Sequence, residues 1–210
     1  MSSFIGNLER FNRKERYFLI GMALGNREFR LDPAFRVRLG NKYSLTIPGT
    51  AFVAMDYHLN WIFAAAALYF DTSLQGNIFA NKTGIVDGTQ EDVDLLVAFV
   101  DSSGLNHVIM LEAKAYSSFN NRQFEHKMKR IKGIFGEDGQ RWQAIKPYFG
   151  LVSRWKSSKL RVEECPSWLK VEDTLPWFEM PLPGNRLILY RCDERGRQDK
   201  ECALWTVKQA

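Results

Sequence analysis

The stretch from Asp94 to Lys114 constrains the fold most, because two apolar runs, residues 95–100 and 108–111, flank a short polar segment at 102–104. This pattern predicts two strands joined by a hairpin. An antiparallel pair brings Asp94 opposite positions 112–114, and the pattern leaves the register open. Because successive side chains of a strand point to opposite faces, Glu112 and Lys114 share one face while Ala113 lies on the other.

Three ionisable side chains, Asp94, Glu112 and Lys114, therefore gather at one end of an apolar hairpin. Charged groups beside buried strands cost free energy unless they are paired or bind a metal. A cluster of this kind indicates a functional site. The alternative is an Asp that opens a strand and a Glu–Lys salt bridge that closes the next one, worth about 0–1 kcal/mol if exposed.

An acid at one end of the hairpin and Glu112-Ala113-Lys114 at the other resemble the signature of the PD-(D/E)xK nuclease superfamily, with Val93 in place of the proline of its name. The resemblance covers about the middle third of the chain. It implies an α/β (α+β) fold with a restriction-endonuclease-like core, in which helices flank a mixed central β-sheet, here with an N-terminal helical addition. It also implies a metal-dependent nuclease that hydrolyses phosphodiester bonds.

The chemistry of phosphodiester hydrolysis suits these residue types. Two neighbouring carboxylates repel each other, and a divalent cation relieves the repulsion. On this interpretation Asp94 and Glu112 bind Mg²⁺ or Mn²⁺, the resemblance adds the backbone carbonyl of Ala113 as a ligand, and Lys114 assists the attacking water.

A further acid on an early helix is also implied by the resemblance. Apolar residues recur at helical spacing from Phe4 to about Leu24, and Glu15 interrupts this stripe, which makes it a candidate metal ligand. Glu15 has an alternative explanation, since it forms a capping box with Asn12. Asp56, on a second helix predicted to begin near Thr50, is the rival acid, and His58 does not share its helix face.

The remaining elements are predicted from local patterns. Strands are expected at residues 42–47, 77–80 and 146–152, and a final hairpin at 186–192 and 202–207. The other acids before the hairpin, expected in solvated loop, are Asp87, Glu91 and Asp92.

A basic amphipathic helix is predicted after Lys114. Its apolar stripe consists of Phe124, Met128, Ile131 and Phe135, and its candidate nucleic-acid contacts are Gln123, Lys127 and Arg130. Ordinary solvated charge is the alternative explanation for this face. A second basic cluster, which follows residues 146–152, comprises Arg154, Lys156, Lys159 and Arg161.

The 210 residues predict a single nuclease-like domain with an N-terminal helical part (1–74), a core (75–160) and a C-terminal part of strands and irregular segment (161–210). A formal charge of +5 fits a nucleic-acid partner, and the resemblance favours DNA over RNA. Cutting both strands with one site per chain calls for a symmetric homodimer.

Several features predict a cytoplasmic protein without membrane contact. The three cysteines show no CxxC spacing, charges occupy the N-terminus where a signal peptide needs an apolar core, and the longest apolar run is too short for a bilayer.

Two other functional classes stay open. The first is a nuclease-like module that binds nucleic acid or protein without catalysis. The second is an unrelated α/β interaction protein whose surface includes Trp61, Trp168 and Trp177.

Overall fold

The computed structural model describes residues 3–71, 74, 76, 78–88 and 91–209. In chain order, the elements are α1 (Phe4–Phe11), α2 (Glu15–Ala23), α3 (Pro33–Tyr43), β1 (Phe52–His58), α4 (Leu59–Phe70), β2 (Asp92–Val100), β3 (Asn106–Lys114), α5 (Asn121–Phe135), β4 (Ile145–Ser153), β5 (Trp177–Glu179), β6 (Leu187–Cys192) and β7 (Leu204–Gln209). Short 3-10 turns at Val162–Glu164 and Ser167–Leu169 precede β5.

The main sheet has five strands in the order β1-β2-β3-β4-β5. Strands β1, β2 and β3 pair antiparallel, whereas β4 pairs parallel with both β3 and β5. Parallel neighbours need a crossover connection, which α5 provides between β3 and β4. The mixed sheet flanked by helices confirms the predicted α/β class.

Each face of the sheet is covered by helices. On one face the core unites residues of α1, α4 and α5 with Leu96, Met110 and Phe149 of the sheet. On the other face Leu39 and Tyr43 of α3 pack with the side chains of Val97, Ile109 and Leu111. Strands buried on both faces are continuously apolar, which explains why the hairpin was evident in the sequence.

The predicted hairpin is confirmed as β2 and β3, with Leu95 opposite Leu111 and Val100 opposite Asn106. Its turn is held by Asp101, whose Oδ1 accepts hydrogen bonds from the backbone N–H groups of Ser103 (2.8 Å) and Leu105 (3.0 Å). The helix after Lys114, the strand near 146–152 and the C-terminal hairpin are likewise confirmed as α5, β4 and the β6–β7 pair.

The prediction of one long N-terminal helix is wrong. α1 ends at Phe11 with Asn12 as its C-cap, and α2 begins at Glu15 with Lys14 as its N-cap and no side-chain capping bond. The capping box between Asn12 and Glu15 is therefore also wrong. Only Gly21 of α2 is buried, so the predicted stripe does not reach the core there.

Between residues 28 and 58 the predictions are also wrong, whereas the second half of the helix predicted from Thr50 is confirmed as α4 (Leu59–Phe70). Residues 33–43 form α3, because Asp32 caps the backbone N–H of Phe35 (2.9 Å) and Pro33 takes the first helical position. No strand forms at 42–47, and Phe52–His58 is a strand because it pairs with β2. The N-terminal 74 residues thus supply an edge strand as well as helices.

The strand predicted at 77–80, before β2, is absent from residues 78–80, and Asn77 lies outside the described residues.

None of the helices within the described ranges combines the length and apolar character that crossing a bilayer requires.

Candidate functional site

Asp94, near the start of β2, meets the Glu112-Ala113-Lys114 segment, which forms the end of β3. Beyond the Leu95–Leu111 pair, the Asp94 side chain continues the connection between the strands, because its Oδ2 accepts a hydrogen bond of 2.5 Å from the backbone N–H of Ala113. Glu112 and Lys114 meanwhile stay in the parallel ladder with Leu151 and Ser153 of β4. The structure therefore brings together the three residues predicted to form the site.

Two lysines hold the Glu112 carboxylate. Lys114 Nζ donates to Oε1 at 3.1 Å, and Lys127 Nζ from α5 contacts Oε2. Lys127 also donates to the backbone carbonyl of Asp92 at 2.6 Å, and it is only 8% exposed. Glu112 is thus fixed between a cation on its own strand and a cation on the neighbouring helix.

Burial is the main influence on Asp94 and raises the pKa of its carboxyl group above the ordinary value. The hydrogen bond from Ala113 opposes this effect, the negative charge of Glu112 adds to it, and the ammonium groups of Lys114 and Lys127 lower the pKa. The net direction is upward. The negative charge of Glu112 thus contributes to the rise, and a bound cation would relieve that repulsion.

A cleft of about 200 Å³ opens beside this cluster; Glu112 and Lys114 line it, whereas Asp94 does not. Glu112, Lys114 and Lys127 form one part of its lining. The rest comes from the start of β2, the start of α5 and β4, namely Glu91, Asp92, Phe119, Asn120, Gln123, Phe124 and Phe149. The charged end of the hairpin thus faces a partly apolar, solvent-accessible cavity.

Glu91 and Asp92 both line this cleft; Glu91 lies in a loop as expected, whereas the expectation of a loop is wrong for Asp92, which belongs to β2. Asp92 opens β2; Lys14 Nζ donates to its Oδ2 at 2.9 Å, and His58 Nδ1 lies 2.5 Å from its Oδ1. Burial lowers the pKa of His58, against the opposing charge of Asp92. His126 Nδ1 of α5 lies 2.9 Å from Glu91 Oε2.

Asp56 lies on a strand and not on a helix. The β1–β2 ladder pairs Met55 with Leu95 and Tyr57 with Val93, which leaves Asp56 across from Asp94 at an unpaired position. Asp56 has a φ of 50°, which L-residues rarely adopt and which marks a local irregularity in the strand. Its carboxylate forms an ion pair with Arg16, 2.6 Å from Nη2 to Oδ2.

Glu15 is not brought to the cluster. It lies exposed at the start of α2 and does not line the cleft. The neighbouring Lys14 points to Asp92 instead. The stripe that suggested an inward carboxylate fails because the helix is interrupted at residues 12–14.

The three candidate residues of α5 have different environments. Gln123 is exposed and lines the cleft. Lys127 is buried against Glu112, contrary to the prediction of a solvated basic face. Arg130 donates to the carbonyl of Ile85 and to Asp87 Oδ2, both at 2.7 Å, and contacts Asn60. The guanidinium of Arg130 therefore binds other groups of the protein.

The burial of Lys127 could have been predicted from its position in the sequence. Lys127 follows Phe124 by three positions and precedes Ile131 by four, so it lies on the buried stripe of α5. A lysine at such a position needs an acidic partner, and Glu112 is that partner.

Comparisons of the chain with protein-family models, curated proteins and solved structures found no match.

The cluster offers a divalent cation only a small set of protein donors. Within residues 3–71, 74, 76, 78–88 and 91–209, no group of three or more His, Cys, Asp or Glu side chains forms a metal site. The cluster offers two carboxylates, Asp94 and Glu112, with the backbone of Ala113 between Glu112 and Lys114. Mg²⁺ is often bound through one or two carboxylates and completes its shell with water and substrate phosphate. The oxygen donors match that preference.

Proposed function

We propose that this protein is a metal-dependent nuclease with a restriction-endonuclease-like core, which hydrolyses phosphodiester bonds of nucleic acid at the Asp94–Glu112–Lys114 cluster. One observation carries the proposal: Asp94 is tied to the backbone of Ala113, so that an acid from β2 and the Glu-Ala-Lys segment of β3 share one end of the sheet beside a cleft. The mixed sheet flanked by helices agrees with the fold that the sequence resemblance implies.

Asp94 and Glu112 would hold the Mg²⁺ or Mn²⁺ ion. A cation held there supplies Lewis acidity that polarises a phosphate oxygen and acidifies water. The hydrogen bond from Ala113 fixes the orientation of Asp94, and Lys127 fixes that of Glu112. Fixed ligands lower the reorganisation that the reaction requires.

Lys114 provides a positive charge beside the proposed metal ligands. It lines the cleft on the same strand face as Glu112 and donates to that carboxylate. From this position its ammonium group would orient the attacking water or stabilise negative charge that develops on the phosphate. Gln123, which is exposed and lines the cleft, would contact the nucleic acid.

Cleavage assays test the proposal. We expect the wild type to cut DNA or RNA in Mg²⁺ or Mn²⁺ and to be inactive in EDTA. Lys114→Ala should lower the rate by about 100-fold or more, because it removes a group that acts in the transition state. Lys129→Ala, which removes an exposed lysine of α5, is the matched control and should cut normally. A Lys114→Ala variant as active as the wild type would contradict the proposal.

A nucleic-acid-binding module without catalysis is the second candidate. The observation in its favour is that Lys114 and Lys127 already neutralise Glu112 without a metal. In that case the wild type would bind oligonucleotides with the same affinity in EDTA and in Mg²⁺, and it would cut none of them.

A further inference from the structure

An exposed aromatic side chain stands next to the proposed site. Trp155 is 64% exposed, although large aromatic side chains are usually buried for their apolar area. It follows β4 by two residues, and the last residue of β4, Ser153, pairs with Lys114 of the site. Trp155 therefore lies just beyond the strand end that carries the cluster.

The backbone at Trp155 is held in place. Ser153 Oγ donates to the carbonyl of Trp155 at 2.8 Å, and the indole N–H of Trp177 donates to the same Oγ at 2.9 Å. The guanidinium carbon of Arg154 lies 4.3 Å from the centre of the Trp155 ring. A cation stacked on an indole ring stabilises its orientation, so the ring is presented to solvent in a defined position.

The segment from 154 to 161 is strongly basic. It contains four cations and no acid, namely Arg154, Lys156, Lys159 and Arg161. Within the described part of the chain, only Arg161 of these four forms an ion pair, at 3.6 Å from Glu125. Among the described residues, no carboxylate therefore pairs with the other three cations.

Asn121 ties this segment to the start of α5. The Asn121 side chain donates to the carbonyl of Lys159 at 3.1 Å and accepts from the backbone N–H of Arg161 at 2.8 Å. Its neighbours Asn120 and Gln123 line the cleft. The exposed Tyr116 lies two residues after Lys114, at the same end of the sheet.

From these contacts we infer that the substrate is single-stranded nucleic acid, which stacks a base on Trp155 while its phosphates lie along Arg154, Lys156 and Lys159 and lead into the cleft. Exposed aromatic rings beside a basic track bind single strands, because every unpaired base offers a face for stacking. Bases of a duplex are already stacked on one another and offer no such face. This inference rests on the proposed nuclease function and names its substrate class.

Binding without divalent cations tests the inference separately from catalysis. The probe is a fluorescently labelled thymidine 12-mer, its affinity is measured by anisotropy in EDTA, and a hairpin duplex of equal length competes. We expect the single strand to bind more tightly than the duplex. An oligouridine of the same length distinguishes DNA from RNA, and a preference for either sugar supports the inference.

Variants of Trp155 identify the stacking ring. Trp155→Ala should weaken binding by about tenfold or more, and Trp155→Phe should retain most of the affinity. Trp205→Ala is the matched control, because Trp205 is equally exposed at 64% but lies on β7 in the separate hairpin. Lys156→Ala/Lys159→Ala should reduce the slope of log K against log salt by about 0.7 for each lysine that contacts phosphate.

The outcomes separate the two proposals. Single-strand binding that depends on Trp155, without cleavage in Mg²⁺ or Mn²⁺, would support the binding surface and contradict the nuclease. Cleavage that Trp155→Ala leaves unchanged, or tighter binding of the duplex, would contradict the single-strand inference and leave the nuclease standing. Absence of any oligonucleotide binding by the wild type would also overturn the inference.

Discussion

Lys127 of α5 reaches the Glu112 carboxylate of β3 from within the core, at a position where it is 8% exposed. The pair joins the helix that crosses from β3 to β4 to the strand that carries the proposed site. The position of the Glu112 carboxylate therefore depends on the packing of α5. A change in the packing of that helix is therefore expected to alter the site.

Lys127→Met is expected to lower the free energy of unfolding by about 1–3 kcal/mol, because it removes one of the two lysines that pair with the partly buried carboxylate of Glu112. Urea denaturation measures the change. Lys129→Met, at an exposed position of the same helix, is the control and should change stability by about 0.5 kcal/mol or less. If Glu112→Gln/Lys127→Met loses as much stability as the two single variants together, the two residues are not coupled.

Divalent cations are expected to stabilise the wild type without any substrate. If Asp94 and Glu112 bind Mg²⁺, a concentration ten times the Kd adds about 1.4 kcal/mol to the free energy of unfolding, which raises Tm by about 3–5 °C. Asp94→Asn keeps an acceptor for the Ala113 N–H but loses the charge, so its Tm should not respond. Sodium chloride at matched ionic strength is the control for screening. Equal responses of both proteins would remove Asp94 from the metal site.

Arg130→Met is expected to destabilise the protein by about 1–3 kcal/mol, because three acceptors around the guanidinium lose their donor. Its affinity for nucleic acid should stay unchanged, since the guanidinium contacts protein groups. Thermal unfolding and oligonucleotide anisotropy measure the two effects. Arg122→Met, at an exposed position of α5, is the control for stability. A large loss of oligonucleotide affinity in Arg130→Met would contradict this role.

Asp101 is expected to make stability depend on acid pH. The hydrogen bonds from His107 and Ser103 hold the pKa of Asp101 well below its usual range. A depressed folded-state pKa stabilises the fold above the unfolded-state pKa of about 4, and this contribution is lost as the pH falls through the lower, folded-state value. Asp101→Asn lacks the contribution, so its difference in unfolding free energy from the wild type should shrink below about pH 4.

Urea denaturation of both proteins from about pH 5 to about pH 2 measures this difference. The other titrating groups are the same in both proteins, so their contributions to the unfolding free energy cancel in this difference. A difference that stayed constant across the range would show that the Asp101 charge does not stabilise the turn.

Local patterns were sufficient for the elements that are either wholly apolar or clearly amphipathic. The β2–β3 hairpin, α5 and β4 follow from such patterns, since strands buried on both faces require continuous apolar runs. The segment around β1 was predicted as a helix because Phe52, Met55 and Leu59 fit helical spacing. Pairing with β2 outweighed that preference, since strand propensity depends on the neighbouring strand.

The sequence by itself determined the chemistry of the site: an acid at the start of one strand, and a glutamate and a lysine on one face at the end of the next. The tertiary structure alone decided which other groups join them. Lys127 and Asp92 reach the cleft, Glu15 does not, and Arg130 binds a loop instead of solvent. The reason is physical, because the environment of a charge depends on residues distant in the chain, whereas strand and helix periodicity depends on adjacent ones.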